Sequence, residues 1–114
     1  MDWSYPLRAA CERHPRREAL RHRGRSLTFA ELEAGVSALA AGLDARGLAG
    51  ETVAWVLPNA PEALMIAMAL ARIGAVAVPL NDRLTEAERA FIRQDAGVVA
   101  TLDAGGVREL RGAG

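Results

Sequence analysis

Apolar residues in the second half of the chain alternate between short continuous runs and longer segments with helical spacing. The runs are TVAWVL (52–57), AVAVP (75–79) and VVATL (98–102). They show no polar alternation, which is typical of strands in a parallel sheet that is covered on both faces. Between them, residues 60–73 and 85–97 have the length and spacing of helices. Residues 52–102 therefore predict a β-α-β-α-β unit with right-handed crossovers.

Two capping boxes mark predicted helix starts. Thr28 with Glu31, and Thr85 with Glu88, have the spacing at which the Thr hydroxyl and the Glu carboxylate satisfy the first backbone amides. The first box opens a long helix at 29–46, for which Gly47 is a suitable stop. One face of that helix is apolar and consists of Phe29, Leu32, Val36, Leu39, Ala40 and Leu43.

The helix at 60–73 has different signals. Asn59 can cap it, Pro61 suits its first turn, and Gly74 can end it. Because the segment is apolar nearly all round, we expect the helix to be buried.

The two ends of the chain carry weaker patterns. Residues 5–14 predict a short helix that Pro15 ends. Arg23-Gly24 separates two short extended pieces, 19–22 and 26–28, and this arrangement predicts a β-hairpin. The hydrophobic pattern is lost after Asp103, so we expect residues 104–114 to form a frayed tail.

These elements predict an α/β fold. We expect a three-layer-like fragment over residues 1–103, in which a helix, a β-hairpin and a long amphipathic helix precede the small parallel sheet of residues 52–102.

Composition excludes several partners and compartments. Apolar residues make up 51% of the 114 residues and the net charge is zero, so we expect a folded core and no nucleic-acid partner. Residues 1–25 hold seven Arg against three acids; this basic arm is either a solvated helix face or a phosphate contact.

Arg72, Gly74 and Pro79 interrupt the most apolar segment, 63–80, so no membrane span is predicted. Cys11 is the single cysteine, which fits a cytoplasmic protein.

All fourteen basic residues are arginine. The chain therefore has no Schiff-base, phosphate-loop or catalytic lysine of its own. No glycine-rich phosphate motif and no G-x-S-x-G nucleophile motif occurs. Cys11, His14 and His22 are too loosely spaced for a regular zinc site, so no metal is predicted.

A ligand site is predicted at the carboxyl ends of the strands, where open α/β sheets bind ligands. Those ends are Pro58-Asn59, the segment 79–81, and Asp103. Arg83 follows the second strand, and two interpretations of it stay open. Its guanidinium either forks onto a phosphate, or it has a surface role, as a salt bridge with Glu86 or Asp82 or as a charge that only adds solubility.

The order of four segments resembles the N-terminal part of AMP-forming acyl-CoA synthetases, members of the adenylate-forming superfamily. The segments are LTFAEL, GETVAWVLPNAPE, ARIGAVAVPLN and RLTEAERAFI, and the resemblance covers about residues 5–103. It implies an enzyme that activates a carboxylate with ATP and Mg²⁺ and passes the acyl group to coenzyme A. It also implies that Asn81 and Arg83, in the N-x-R-L segment, lie where a coenzyme A phosphate docks. Asp82 stands where such proteins usually have proline.

The family's phosphate loop, adenine-binding segment and catalytic lysine have no counterpart in this sequence. We therefore expect an N-terminal fragment of an ATP-dependent acyl-CoA synthetase that binds no cofactor and is inactive alone. The alternative is a stand-alone, non-catalytic interaction module. Because an incomplete sheet keeps an unpaired edge, we expect a homodimer or a partner chain that completes it.

Overall fold

The computed structural model describes residues 5–58 and 60–113. In chain order the elements of these residues are α1 (Tyr5–Arg13), β1 (Glu18–His22), β2 (Arg25–Thr28), α2 (Phe29–Ala45), β3 (Thr52–Trp55), α3 (Pro61–Arg72), β4 (Val76–Pro79), α4 (Glu86–Ala96), β5 (Ala100–Leu102) and α5 (Ala104–Ala113). The predicted α/β class and the β-α-β-α-β unit are confirmed.

The main sheet has three parallel strands in the order β4-β3-β5. Val53 at its centre pairs with Ala77 on one side and with Ala100 on the other. The chain therefore moves one way from β3 to β4, and then back across β3 to β5. Right-handed crossovers place α3 and α4 on opposite faces of such a sheet.

Local signals in the first half produce the predicted elements. β1 and β2 form an antiparallel hairpin, and Arg23 and Gly24 in its turn both have positive φ, the geometry that favours glycine in two-residue hairpins. Both capping boxes are present, at Thr28–Glu31 and at Thr85–Glu88.

The hydrophobic core lies on one face of the sheet. It joins α2 and α3 to β3, where the side chains of Leu39, Leu43, Ile66, Leu70 and Val53 are fully buried. Leu27 of the hairpin and Leu7 of α1 close the core on the outer side of α2.

The predicted frayed tail is wrong, because residues 104–113 form α5. Asp103 accepts a hydrogen bond at Oδ1 from the amide of Gly106 (2.8 Å) and so caps this helix. Val107 and Leu110 are buried in the core. Gly42 allows close contact with α5, since a Cβ there would lie 3.0 Å from Leu110 Cδ2. The folded unit therefore continues past residue 103.

The cover on both faces that the unbroken apolar strands require is only partly present. Val76 on β4 and Val99, just before β5, are 56% and 58% exposed. α4 on this second face has no buried residue, and its Phe91 is 70% exposed. The second face is therefore open at Val76 and Val99, while Ala54 of the central strand is buried there.

The start of α3 differs slightly from the prediction. Pro61 is the first helical residue as expected, but the N-cap is Ala60, which provides no side-chain hydrogen bond. Asn59, the predicted cap, lies outside the described residues. α3 is buried over five positions, while Leu64 on its outer side is 38% exposed.

Candidate functional site: a crevice at the carboxyl ends of two strands

A crevice of about 410 Å³ lies beyond the carboxyl ends of β3 and β4. It is lined by Trp55, Leu57, Pro58, Ala63, Pro79, Leu80, Asn81 and Asp82. The chain leaves β3 toward α3 on one face of the sheet, and leaves β4 toward α4 on the other. Open α/β sheets bind their ligands beyond the carboxyl ends of their strands. We refer to this site as the β3–β4 crevice.

The loop between β4 and α4, residues 80–85, borders this crevice and has a defined shape. The amide of Leu80 donates to the carbonyl of Trp55 (2.9 Å), which ties the loop to β3. Asn81 then accepts two hydrogen bonds: its Oδ1 from the amide of Arg83 (2.8 Å) and its carbonyl from the amide of Leu84 (3.1 Å). Asn81 thus forms a turn that short polar side chains favour. We call residues 80–85 the β4–α4 loop.

Arg83 lies on this loop with its side chain exposed. The predicted salt bridge with Glu86 is absent, because Glu86 pairs instead with Arg89 (3.3 Å) and with Arg93. The hydrogen bond and charge of Arg93, followed by those of Arg89, hold the pKa of the Glu86 carboxyl below its ordinary value. Within residues 5–58 and 60–113, the Arg83 guanidinium forms no ion pair, so it is free to meet a ligand.

Arg89 is a residue of this site that the sequence analysis did not identify. Its Nη1 donates to the carbonyl of Leu84 (2.9 Å) and, at longer range, to that of Asp82 (3.4 Å). A side chain in the first turns of a helix points back toward the N-terminus. That direction, together with the position of Arg89 four residues after the Thr85 cap, is the sequence feature from which its contact with the loop could have been predicted.

A second, smaller pocket of about 320 Å³ lies at the carboxyl ends of β3 and β5. It is lined mostly by apolar groups, together with Glu62 and Arg108. Glu62 is already paired with Arg25, at 2.8 Å. Asp103, the third predicted strand end, caps α5 as described above. This pocket therefore offers apolar contact and one guanidinium.

The other candidate residues do not assemble into a site. In the part of the chain that the structure describes, no three His, Cys, Asp or Glu side chains come together as a metal-binding group. Arg21 and Arg25 of the basic arm form ion pairs, with Glu18 and Glu62 respectively. Among the helices of residues 5–58 and 60–113, none has both the length and the apolarity needed to cross a bilayer.

Comparison with known proteins identifies what this arrangement is similar to. Feruloyl-CoA synthase from Amycolatopsis sp is 43% identical over 95 residues, which are 82% of this chain and 19% of that protein. The long-chain-fatty-acid–CoA ligase FadD13 of Mycobacterium tuberculosis is 40% identical over 72 residues, 62% of this chain and 14% of that protein. The chain thus spans less than a fifth of the length of either relative.

Solved structures share the fold. O-succinylbenzoate coenzyme A synthetase (MenE) from Bacillus subtilis, in complex with AMP, aligns over 93% of this chain and 32% of its own, with a TM-score of 0.82 and 31% identity. The Klebsiella oxytoca NpsA N-terminal subdomain aligns over 85% of this chain and 25% of its own, with a TM-score of 0.80 and 33% identity. Residues 7–112 match the AMP-binding enzyme family, and this chain belongs to that family.

Proposed function

We propose that this chain is the N-terminal segment of an adenylate-forming carboxylate–CoA ligase. In the assembled enzyme a carboxylate attacks the α-phosphate of ATP, giving an acyl-adenylate and pyrophosphate. The thiol of coenzyme A then attacks the acyl carbon and releases AMP. The observation that carries the proposal is the family match over residues 7–112, since both curated relatives named above are acyl- or aryl-CoA ligases. We place the enzyme in the cytoplasm, in keeping with a single cysteine.

In this proposal the 114-residue chain does not adenylate anything alone. Phosphoryl and nucleotidyl transfer depend on cations that are fixed against the phosphate oxygens. The chain has no lysine and no glycine-rich phosphate loop, and the β3–β4 crevice offers Asn81 and Asp82 as its polar lining. ATP, Mg²⁺ and the reacting carboxylate therefore bind mainly to residues outside these 114.

We also propose that Asn81 and Arg83 contribute an accessory contact to a phosphate of coenzyme A. The supporting geometry is the turn at Asn81, which fixes the backbone of Arg83, and the exposed guanidinium beside the crevice. Asp82 next to it opposes an anion by charge repulsion, so the contact is accessory to stronger ones elsewhere.

Acid-dependent exchange of pyrophosphate into ATP tests the proposal. The purified chain should show no exchange above a blank with fatty, aromatic and short acids. A chimera of feruloyl-CoA synthase, in which this chain replaces the matching 95-residue segment, should be active in the same assay. Exchange by the chain alone would contradict its inactivity, and a folded but inactive chimera would contradict its role as a segment of a ligase.

The second candidate is a non-catalytic interaction module derived from an adenylating enzyme. The open second face favours it, because Val76, Phe91 and Val99 together present apolar surface to solvent. The two candidates differ in the chimera experiment, since a module that has diverged toward another partner would not support exchange.

A further inference from the structure

We infer that Arg89 is the positioning residue of Arg83. In this inference Arg89 holds the β4–α4 loop in the shape that presents the Arg83 guanidinium beside the β3–β4 crevice. The inference rests on the phosphate contact of Arg83 proposed above, and it concerns which side chain makes that contact possible.

The first observation is the direction of the Arg89 guanidinium. It lies on α4 but donates to two carbonyls of the preceding loop, that of Leu84 at 2.9 Å and that of Asp82 at 3.4 Å. These carbonyls flank Arg83 on both sides. The Asp82 carbonyl belongs to the peptide unit that precedes Arg83, and the Leu84 carbonyl to the unit that follows Leu84. A charged donor shared between them resists rotation of the backbone on either side of the Arg83–Leu84 pair.

The second observation is that Arg89 is itself held in place. Its Nε and Nη2 both lie 3.3 Å from Glu86 Oε2, so one edge of the planar guanidinium is hydrogen-bonded to Glu86 while the other edge faces the loop. The Arg89 residue is partly buried, with a side chain that is 21% exposed. An arginine that is ordered on both edges loses little further entropy when the loop is in place.

The third observation is that the remaining loop contacts do not replace this one. The turn at Asn81 orders the amide side of Arg83 and Leu84, and the Thr85–Glu88 box orders the start of α4. Of the hydrogen bonds described for the loop, those from Arg89 are the ones that fix the carbonyls of Asp82 and Leu84.

Arg93 provides a matched control on the same helix. It also pairs with Glu86 and its side chain is 27% exposed, close to the 21% of Arg89. No contact of Arg93 with the loop carbonyls occurs among the described residues. Arg89→Met and Arg93→Met therefore remove equal charge from one face of α4, but only the first releases the loop.

Amide hydrogen exchange of the full chain, followed by NMR, measures the loop directly. We expect Arg89→Met to speed exchange at the amides of Arg83 and Leu84 about tenfold, the effect of losing one charge-assisted hydrogen bond. Arg93→Met should leave both rates within about twofold of the parent, and Arg89→Lys should recover most of the protection because an ammonium still donates to Leu84. Unchanged exchange in Arg89→Met would overturn the inference.

The ratio of affinities for coenzyme A and dephospho-coenzyme A measures the consequence. Arg83→Ala should bring this ratio close to one. Arg89→Met should lower the affinity ratio several-fold. Arg89→Lys should restore the ratio, and Arg93→Met should leave it unchanged. A simple loss of stability would instead weaken the binding of both ligands alike. The parent chain could bind coenzyme A and dephospho-coenzyme A equally well while Arg89→Met still speeds amide exchange in the loop. That result would overturn the phosphate contact of Arg83 and would support the role of Arg89 in ordering the loop. An affinity ratio in Arg89→Met equal to that of the parent chain would overturn the inference.

Discussion

At the scale of single residues, the most shielded ion pair of the described residues ties α2 to α3. Arg72 Nη1 and Nη2 lie 2.7 and 2.8 Å from the two carboxylate oxygens of Glu33. The side chains are only 13% and 19% exposed, and Ser37 donates a further hydrogen bond to Glu33. Such a two-pronged pair is worth more than an exposed one, because water screens it less.

This pair makes stability depend on pH. Burial raises the pKa of the Glu33 carboxyl, but the hydrogen bonds from Arg72 and Ser37 and the charge of Arg72 outweigh it, so the pKa lies below its ordinary value. A lowered pKa contributes stability that is present above the unfolded value, about 4.3, and is lost as pH falls through the folded value.

We expect Glu33→Gln to cost about 1 kcal/mol at pH 7 and to reduce the loss of stability as the pH falls below the ordinary carboxyl pKa of about 4.3. The free energy of unfolding in urea at several pH values measures both effects. Glu12→Gln on the exposed surface of α1 is the control. A slope that is as steep in Glu33→Gln as in the parent would show that other carboxylates, such as the capping Glu31 and Glu88, govern the acid transition.

At the scale of elements, the contact between α2 and α5 depends on a glycine. A Cβ at Gly42 would lie 3.0 Å from Leu110 Cδ2 and 3.1 Å from the Leu110 carbonyl oxygen. The carbonyl belongs to the backbone, so relief requires α5 as a whole to move. Gly35, in the same helix, differs because a Cβ there would meet the end of the Met65 side chain, at 2.9 Å from Sδ.

Alanine at these two glycines should therefore have unequal effects. Each substitution gains about 1 kcal/mol of helix propensity. At Gly42 the displacement of α5 should exceed that gain and leave a net loss of about 1 kcal/mol, whereas at Gly35 the flexible Met65 can shift and the net change should be near zero. Urea unfolding measures the difference, and hydrogen exchange in α5 locates it. Equal stability of the two variants would mean that α5 does not pack tightly on α2.

At the scale of the whole molecule, the apolar surface is distributed unevenly. The hydrophobic core lies on one face of the sheet, with α2, α3 and α5, while Val76, Phe91 and Val99 on the second face are 56%, 70% and 58% exposed. β4 and β5 are also the two edges of the sheet. Apolar surface beside unpaired strand edges promotes association between chains.

We expect the isolated chain to be a dimer, a partner-bound subunit or aggregation-prone, as light scattering after size exclusion will measure. Phe91→Glu should shift it toward the monomer and lower its binding of a hydrophobic dye, because the charge opposes burial of this face. Leu64→Glu is the matched control, since Leu64 is 38% exposed on the outer side of α3, away from this surface. A sharp monomer peak of the parent chain, with cooperative melting and no dye binding, would contradict the prediction.

Family membership and most elements were readable in the sequence because their causes are local. A Thr followed three residues later by Glu completes a capping box within one turn, and Arg23-Gly24 supplies the positive φ that the hairpin needs. Unbroken apolar runs separated by helical segments specify parallel strands. The resemblance to adenylate-forming enzymes rests on these same segments, and the family match confirms it.

The tertiary structure decided what depends on residues far apart in the chain. α5 has little pattern of its own, and it forms where Gly42 leaves room for Leu110. Which of Arg83, Arg89 and Arg93 pairs with Glu86 depends on the direction in which each side chain leaves the backbone. Spacing along the sequence alone does not specify that direction. Which face of the sheet is covered depends on the handedness of the crossovers and on where α2 and α5 dock. An apolar run carries the same pattern on both faces, so the sequence of β4 determined that it is a strand, and packing determined how far its side chains stay exposed.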